Sequence, residues 1–216
     1  MAPLDSDEVS GLLLAAETLE VPIGDAGVER IGRYIDLLLL WNQRFHLTGE
    51  RDRRTLLGKH VVDSLTPVPL LPEGGRVIDI GSGAGFPGII LSCLRPDLEV
   101  VLLEARRRPC SFLAEAARSI PLPLARIVMS RAEDTIAELG WSAGTIISRA
   151  IRLDRLLPLA VPLLSHDGAV IAMQTPATSE TDAARLGAPV GLRVAGLVDY
   201  RLPGDESRRL IRFVRA

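Results

Sequence analysis

The stretch that most restricts this chain is Arg76–Gly88, RVIDIGSGAGFPG. Val77, Ile78 and Ile80, with Asp79 among them, predict a short buried strand, because β-branched apolar residues suit a covered, pleated surface. Gly81, Gly83 and Gly85 follow at alternate positions and predict a sharp turn whose backbone lies close to a ligand. Phe86-Pro87-Gly88 then opens an apolar helix that begins Ile89-Ile90-Leu91. Strand, glycine turn and helix are the first unit of a nucleotide-binding α/β domain. Many Rossmann-like folds share that glycine spacing, and Asp79 narrows the choice. A carboxylate two residues before the first glycine repels a pyrophosphate placed at the turn and attracts a cationic ligand without phosphate. S-adenosylmethionine, with its ammonium and sulfonium groups, meets that condition better than NAD.

The rest of the chain falls into place around this unit. Asp5 or Ser6 caps a first helix with Leu12, Leu13, Ala16 and Leu19 on one face, ending before Val21-Pro22. A second runs from about Asp25 to Phe45, with an inner stripe of Val28, Ile31, Ile35, Leu38, Leu39 and Asn42 that Trp41 and Phe45 extend. The polar, arginine-rich segment 42–54 leads to a third helix over about 54–65. Beyond the glycine turn, strands are predicted at 99–104, 125–129, 145–148 and 169–173, with 192–198 and 210–214 as a final pair, antiparallel at the sheet edge. Helices are expected over about 109–119 and 153–164. The expected fold is therefore α/β: a doubly wound, Rossmann-like sheet of about seven strands. Residues 1–70 form an N-terminal helical layer packed on a main domain of residues 71–216. Glu104, nineteen residues past Gly85, falls where such folds place a carboxylate on ribose hydroxyls. The loop that begins Ser130-Arg131-Ala132-Glu133 falls where an adenine lies.

Composition excludes several classes. With aromatics at 4% and a net charge of −2, the chain is neither a stacking platform nor a basic nucleic-acid coat, although a local basic face is allowed. Cys93 and Cys110 form no CxxC and no histidine cluster lies beside them, so a metal site and a disulfide framework are not expected; both read as small buried residues in a reducing compartment. The acidic start MAPLDSDEVS has no secretory pattern and no apolar run reaches membrane-span length, so a cytoplasmic, membrane-free monomer is expected.

Several stretches together are similar to one family. Trp41-Asn42 with Leu47-Thr48, His60-Val61-Val62-Asp63-Ser64, the run Asp79–Gly88 and Ser148-Arg149-Ala150 occur in the order found in the RsmG (GidB) family. That family methylates guanine N7 in small-subunit (16S) ribosomal RNA, and the resemblance spans roughly Tyr34 to Met173. It implies a class I S-adenosylmethionine-dependent methyltransferase whose partner is small-subunit ribosomal RNA, either naked or in a ribonucleoprotein particle. By resemblance Gly81 and Phe86 line the methionine end, Glu104-Ala105-Arg106 the ribose, Ala132-Glu133 the adenine, and Arg149 the floor, beside Asp79 and Gly83 of the turn. His60 and Asp63, at i and i+3, read either as a local hydrogen bond or as substrate-binding groups. Arg149 directly follows a buried strand, so its guanidinium needs an acidic or ligand partner. Arg51, Arg53, Arg54 and Arg108 are candidate RNA-phosphate contacts. No nucleophile–base or paired-carboxylate arrangement stands out, so only binding roles are assigned. An NAD-dependent oxidoreductase and a non-catalytic RNA-binding module of the same fold are the alternatives. The chain departs from the family in having Gln174-Thr175 where a Lys-Gly is usual, and Arg108-Pro109 in place of a basic pair.

Overall fold

A computed structural model describes residues 3–216. Helix α1 (Ser6–Thr18) starts at Asp5, whose carboxylate accepts from Glu8 N while Glu8 Oε2 accepts from Asp5 N, a reciprocal cap. Helix α2 is Asp25–Phe45. Next, α3 (Arg53–Thr55) passes through a π-helical turn, Leu56–Val61, into α4 (Val62–Leu65). The sheet and its helices follow: β1 (Gly75–Ile80), α5 (Gly88–Leu94), β2 (Leu98–Leu103), α6 (Arg107–Ser119), β3 (Ala125–Val128), α7 (Ile136–Leu139), β4 (Ala143–Ser148), α8 (Leu153–Ala160), β5 (Leu164–Gln174), α9 (Glu180–Gly187), β6 (Leu192–Leu202) and β7 (Glu206–Arg215).

The seven strands lie in the order β3-β2-β1-β4-β5-β7-β6. The first five are parallel, while β7 runs antiparallel between β5 and β6. The chain reverses its winding direction between β1 and β4, which opens a crevice beyond their carboxyl ends. Alternation along β1 sorts its side chains between two cores. Val77 joins Ile31, Ile35, Leu38 and Leu65 of the N-terminal helices, whereas Ile78 and Ile80 join Leu156, Leu157 and Phe213 on the other face. The N-terminal helices thus share a core with the sheet.

Several expectations need correction. The predicted helix over 153–164 stops at Ala160, and Leu164 already begins β5. Helix α9 is an addition, capped by Ser179 accepting from Asp182 N. The third helix carries a π-helical turn that its sequence does not announce. On α1, Leu13 is turned to solvent, while on α2 Tyr34 and Leu37 are buried and Val28 only half-buried. Trp41, which extends the α2 stripe, packs edge-on against Phe112 of α6. Cys93 and Cys110 need no correction: both are small buried residues, as read from the sequence.

Candidate functional site

The crevice at the carboxyl ends of β1 and β4 is built by the glycine turn. Gly81, Gly83 and Gly85 have φ of +77°, +55° and +100°, in the region L side chains rarely adopt. They serve different ends. A side chain at Gly85 would sit 2.6 Å from Ile89, and one at Gly88 would sit 2.6 Å from Asp79 Oδ2 and from Leu102. Gly83 is open, its nearest neighbours being Arg106 and Gly81 O at 3.8 Å. Hydrogen bonds hold the turn rigid: Gly81 N donates to Leu103 O at 2.8 Å, Gly85 N to Ser82 O at 2.7 Å and Ser82 Oγ to Asp79 O at 2.9 Å.

Two acids frame the turn. Asp79 is 1% exposed; its Oδ2 accepts from Gly88 N at 3.0 Å, steadying the start of α5, while its Oδ1 is buried without a hydrogen-bond partner. Burial pushes the Asp79 carboxyl up to about 7. Glu104, just past β2, accepts from Gly83 N at 2.9 Å through Oε2 and from Arg106 N at 2.9 Å through Oε1. Burial acts to raise its pKa, but the bonds from Arg106 and Gly83 prevail and hold it below the ordinary glutamate value. Ala105 and Arg106 lie exposed beyond it. Ala132 is buried and Glu133 exposed in a single 3-10 turn, Ala132–Thr135, at the end of β3.

Phe86 is the hinge of the opposite wall. Tyr34 meets it edge-on at 5.3 Å and donates its hydroxyl to Ala84 O at 2.5 Å. The His60 ring stacks on it at 5.1 Å, and the Arg149 guanidinium lies 5.1 Å from the ring centre. His60 and Asp63 do not bond to each other as a local pair would. Instead Asp63 Oδ2 accepts from Arg149 Nη1 at 3.2 Å and Oδ1 from the Tyr200 hydroxyl at 2.6 Å. His60 presents two buried ring nitrogens without hydrogen-bond partners; burial first, then the charge of Arg149, pushes its pKa down to about 4, so the ring is neutral.

The candidate RNA-contacting arginines separate. Arg51, Arg54 and Arg108 are exposed. Arg53 is instead drawn inward, with Nε 3.3 Å from Glu8 and Nη1 3.3 Å from Asp36, tying α1 and α2 to α3. Gln174 Nε2 donates to Ile151 O and Met173 O, both at 3.2 Å. Tyr34 and Tyr200 carry parts of the site that sequence reasoning missed. Tyr34 sits in an apolar helix and reads as core; nothing local marks Tyr200, which is 137 residues from its partner Asp63. Among the described residues no group of three or more His, Cys, Asp or Glu side chains is placed to hold a metal, and no helix is long and apolar enough to cross a membrane.

Comparison with known proteins bears on the fold and on the family. Solved structures with the same fold include a SAM dependent methyltransferase from Aquifex aeolicus, with TM-score 0.60 at 17% identity over 76% of this chain and 94% of that one. TYW2 from M. jannaschii in complex with AdoMet has TM-score 0.59 at 15% identity, over 73% and 76%. Among curated proteins, a ribosomal RNA small subunit methyltransferase G from Anaeromyxobacter sp. is 34% identical over 92% of this chain and 93% of its own. Another from Sorangium cellulosum is 37% identical over 80% and 73%. Residues 28–187 match the GidB family, described as rRNA small subunit methyltransferase G, and the chain belongs to that family.

Proposed function

We propose that this chain transfers a methyl group from S-adenosylmethionine to N7 of a guanine in small-subunit ribosomal RNA, acting in the cytoplasm. The observation that carries the reading is the pair of acids, Asp79 and Glu104, on either side of an open glycine turn in a chain of this family. The residues present fit the cofactor. The orphaned, buried Asp79 Oδ1 is an acceptor in need of a donor, which an ammonium supplies. Glu104 is suited to ribose hydroxyls, and the space in front of Gly83 admits a ligand that a side chain would displace. Gly81, Phe86, Ala105, Arg106, Ala132, Glu133 and Arg149 complete the lining in this reading.

S-adenosylmethionine supplies an electrophilic methyl group on a cationic sulfur. Guanine N7 carries a free lone pair at neutral pH, so no proton has to be removed before attack, and a general base has no task. The protein's contribution is alignment and exclusion of water, worth on the order of 7–11 kcal/mol when two reactants are held in line. His60 suits this setting because its ring stays neutral beside a product base that gains positive charge. The exposed Arg51, Arg54 and Arg108 are the phosphate contacts of this reading, and Arg53 ties together the helices that flank Arg51 and Arg54. The target guanine has to be unpaired or turned out of a helix for N7 to reach the crevice.

The test is transfer of a labelled methyl group to naked ribosomal RNA and to small-subunit particles, followed by nucleoside analysis. N7-methylguanosine in at least one substrate is expected. A methyl group on another atom, or on protein, would sink the assignment, and a preference for NAD over S-adenosylhomocysteine in calorimetry would sink the cofactor.

A further inference from the structure

Asp63 is as deeply buried as Asp79, yet each of its oxygens has a partner from a distant part of the chain. Arg149 follows β4, Tyr200 lies on β6, and Tyr200 falls outside the residues 28–187 that define the family match. Arg149 has five N–H donors in a fixed fork, and the bond to Asp63 Oδ2 is its one hydrogen bond to the rest of the protein among the described residues. That bond is long, 3.2 Å, whereas the Tyr200 bond to Oδ1 is short, 2.6 Å.

A carboxylate facing an arginine with both oxygens unengaged takes a two-bond grip. By donating to Oδ1 at 2.6 Å the Tyr200 hydroxyl holds the carboxylate turned so that Oδ2 alone bonds Arg149. We propose that Tyr200 is a positioning residue: it limits Asp63 to one bond with Arg149, which leaves the rest of the guanidinium free to receive an acceptor oxygen of the RNA substrate. Arg149 and Asp63 border a cavity of about 150 Å³ that Ile151, Gln174, Thr175 and Arg208 also line. Ile151 packs 3.2 Å from where a side chain on Gly81 would lie, so the cavity adjoins the glycine turn. The hairpin does not need the Tyr200 hydroxyl for its own docking, since β7 pairs with β5 from Ala169↔Val214 to Gln174↔Arg209 and with β6 along its length.

The inference rests on the RNA methyl-transfer reading, so its test separates the two. Tyr200→Phe keeps the ring and removes the hydroxyl. It should raise the KM and the Kd for RNA about tenfold, the scale of one charge-assisted hydrogen bond, and by more than any change in S-adenosylhomocysteine affinity. In an Arg149→Lys background, where no fork exists to be captured, the same substitution should leave both RNA constants unchanged. The Arg149 guanidinium resonances, read by NMR without any turnover, should shift in Tyr200→Phe as the second bond to Asp63 forms. Unchanged RNA constants in folded Tyr200→Phe, an equal loss in the Arg149→Lys background, or unshifted guanidinium signals would each overturn the role of Tyr200. Absence of methyl transfer by the wild-type enzyme overturns the functional reading instead, and the NMR result still decides the geometry.

Discussion

Between Asp79 and Ile89 most backbone groups are satisfied from close by or from the adjoining strand β2, where Gly81 N meets Leu103 O and Gly83 N meets Glu104 Oε2. Asp79 holds Gly88, Ser82 holds Asp79, and Ile89 N reaches Gly85 O at 2.7 Å. The Asp63 cluster on the other side of Phe86 is the reverse, since its bonds cross 86 and 137 residues of chain. The glycine turn is fixed once β1, α5 and the neighbouring strand β2 have come together. A site made of remote partners exists only after β4 and β6 have both docked, and each partner can be removed without breaking a local turn. The first region is therefore fixed by backbone geometry and the second by side-chain chemistry.

The largest effect should come from testing that geometry. Gly85→Ala forces a side chain at φ +100° and a methyl group 2.6 Å from Ile89 and 3.1 Å from Leu113. Left-handed strain of roughly 1–2 kcal/mol and overpacking of about 1–3 kcal/mol together predict a loss near 3 kcal/mol. That corresponds to about 6–12 °C in Tm for a chain of this size. Gly83→Ala, at φ +55° with no neighbour nearer than 3.8 Å, should cost only the strain while weakening S-adenosylhomocysteine binding. Thermal unfolding and calorimetry on the two variants check the contrast. Equal Tm losses would mean that the turn does not divide into packing and ligand-facing glycines.

The same division explains what the sequence disclosed. Strand, glycine turn and helix are contiguous, so Arg76–Gly88 could be read directly, and the apolar period of α2 gave its bounds, Asp25–Phe45. Arg149 announced a need for a partner, because a cation after a buried strand cannot stand alone. Which acid met that need was invisible: Asp63 sits in a helical segment that reads as locally paired with His60, and the π-helical turn carrying His60 depends on tertiary packing. Arg53 misled for a related reason, since an arginine-rich loop looks solvated until Glu8 and Asp36 are brought beside it. Local pattern therefore reveals elements and turns, while side-chain partners across the chain depend on the finished topology.

A smaller effect distinguishes the two regions by pH. Burial places the Asp79 carboxyl at about 7 against an ordinary 3.8. Between those values the folded chain keeps a proton that the unfolded chain has lost, so this group lowers stability as pH rises across the window. His60 moves oppositely. Lowered from 6.5 to about 4, it leaves the unfolded chain with the extra proton between those values, so its contribution to stability is lost as pH falls. Denaturant titrations of the cofactor-free enzyme should show Asp79→Asn gaining stability relative to wild type as pH rises from 4 to 7. His60→Gln should gain as pH falls from 6.5 to 4. If Asp79 receives the cofactor's ammonium, S-adenosylhomocysteine affinity should also rise with pH up to about 7 in wild type, and that slope should vanish in Asp79→Asn. A flat wild-type slope would remove Asp79 from the binding set and leave it as the anchor of α5.

The smallest effect concerns the outer wall that both regions share. Gln174 ends β5, and its amide nitrogen faces two backbone carbonyls, Ile151 O and Met173 O, which fixes its orientation. Lysine at this position can still donate to both carbonyls, because an ammonium has three donors and both partners are acceptors. Gln174→Lys therefore adds a charge without releasing the segment that packs on Gly81. The added charge lies in the cavity that Arg149, Arg152 and Arg208 line, where repulsion from those arginines offsets part of its attraction for phosphate. RNA binding should tighten modestly, with a salt dependence steeper by about one phosphate contact, and cofactor affinity should stay as it was. Should the salt slope not move, Gln174 acts only on its two carbonyls. The cavity would then be a place for a base edge rather than for the RNA backbone, met by the free donors of Arg149.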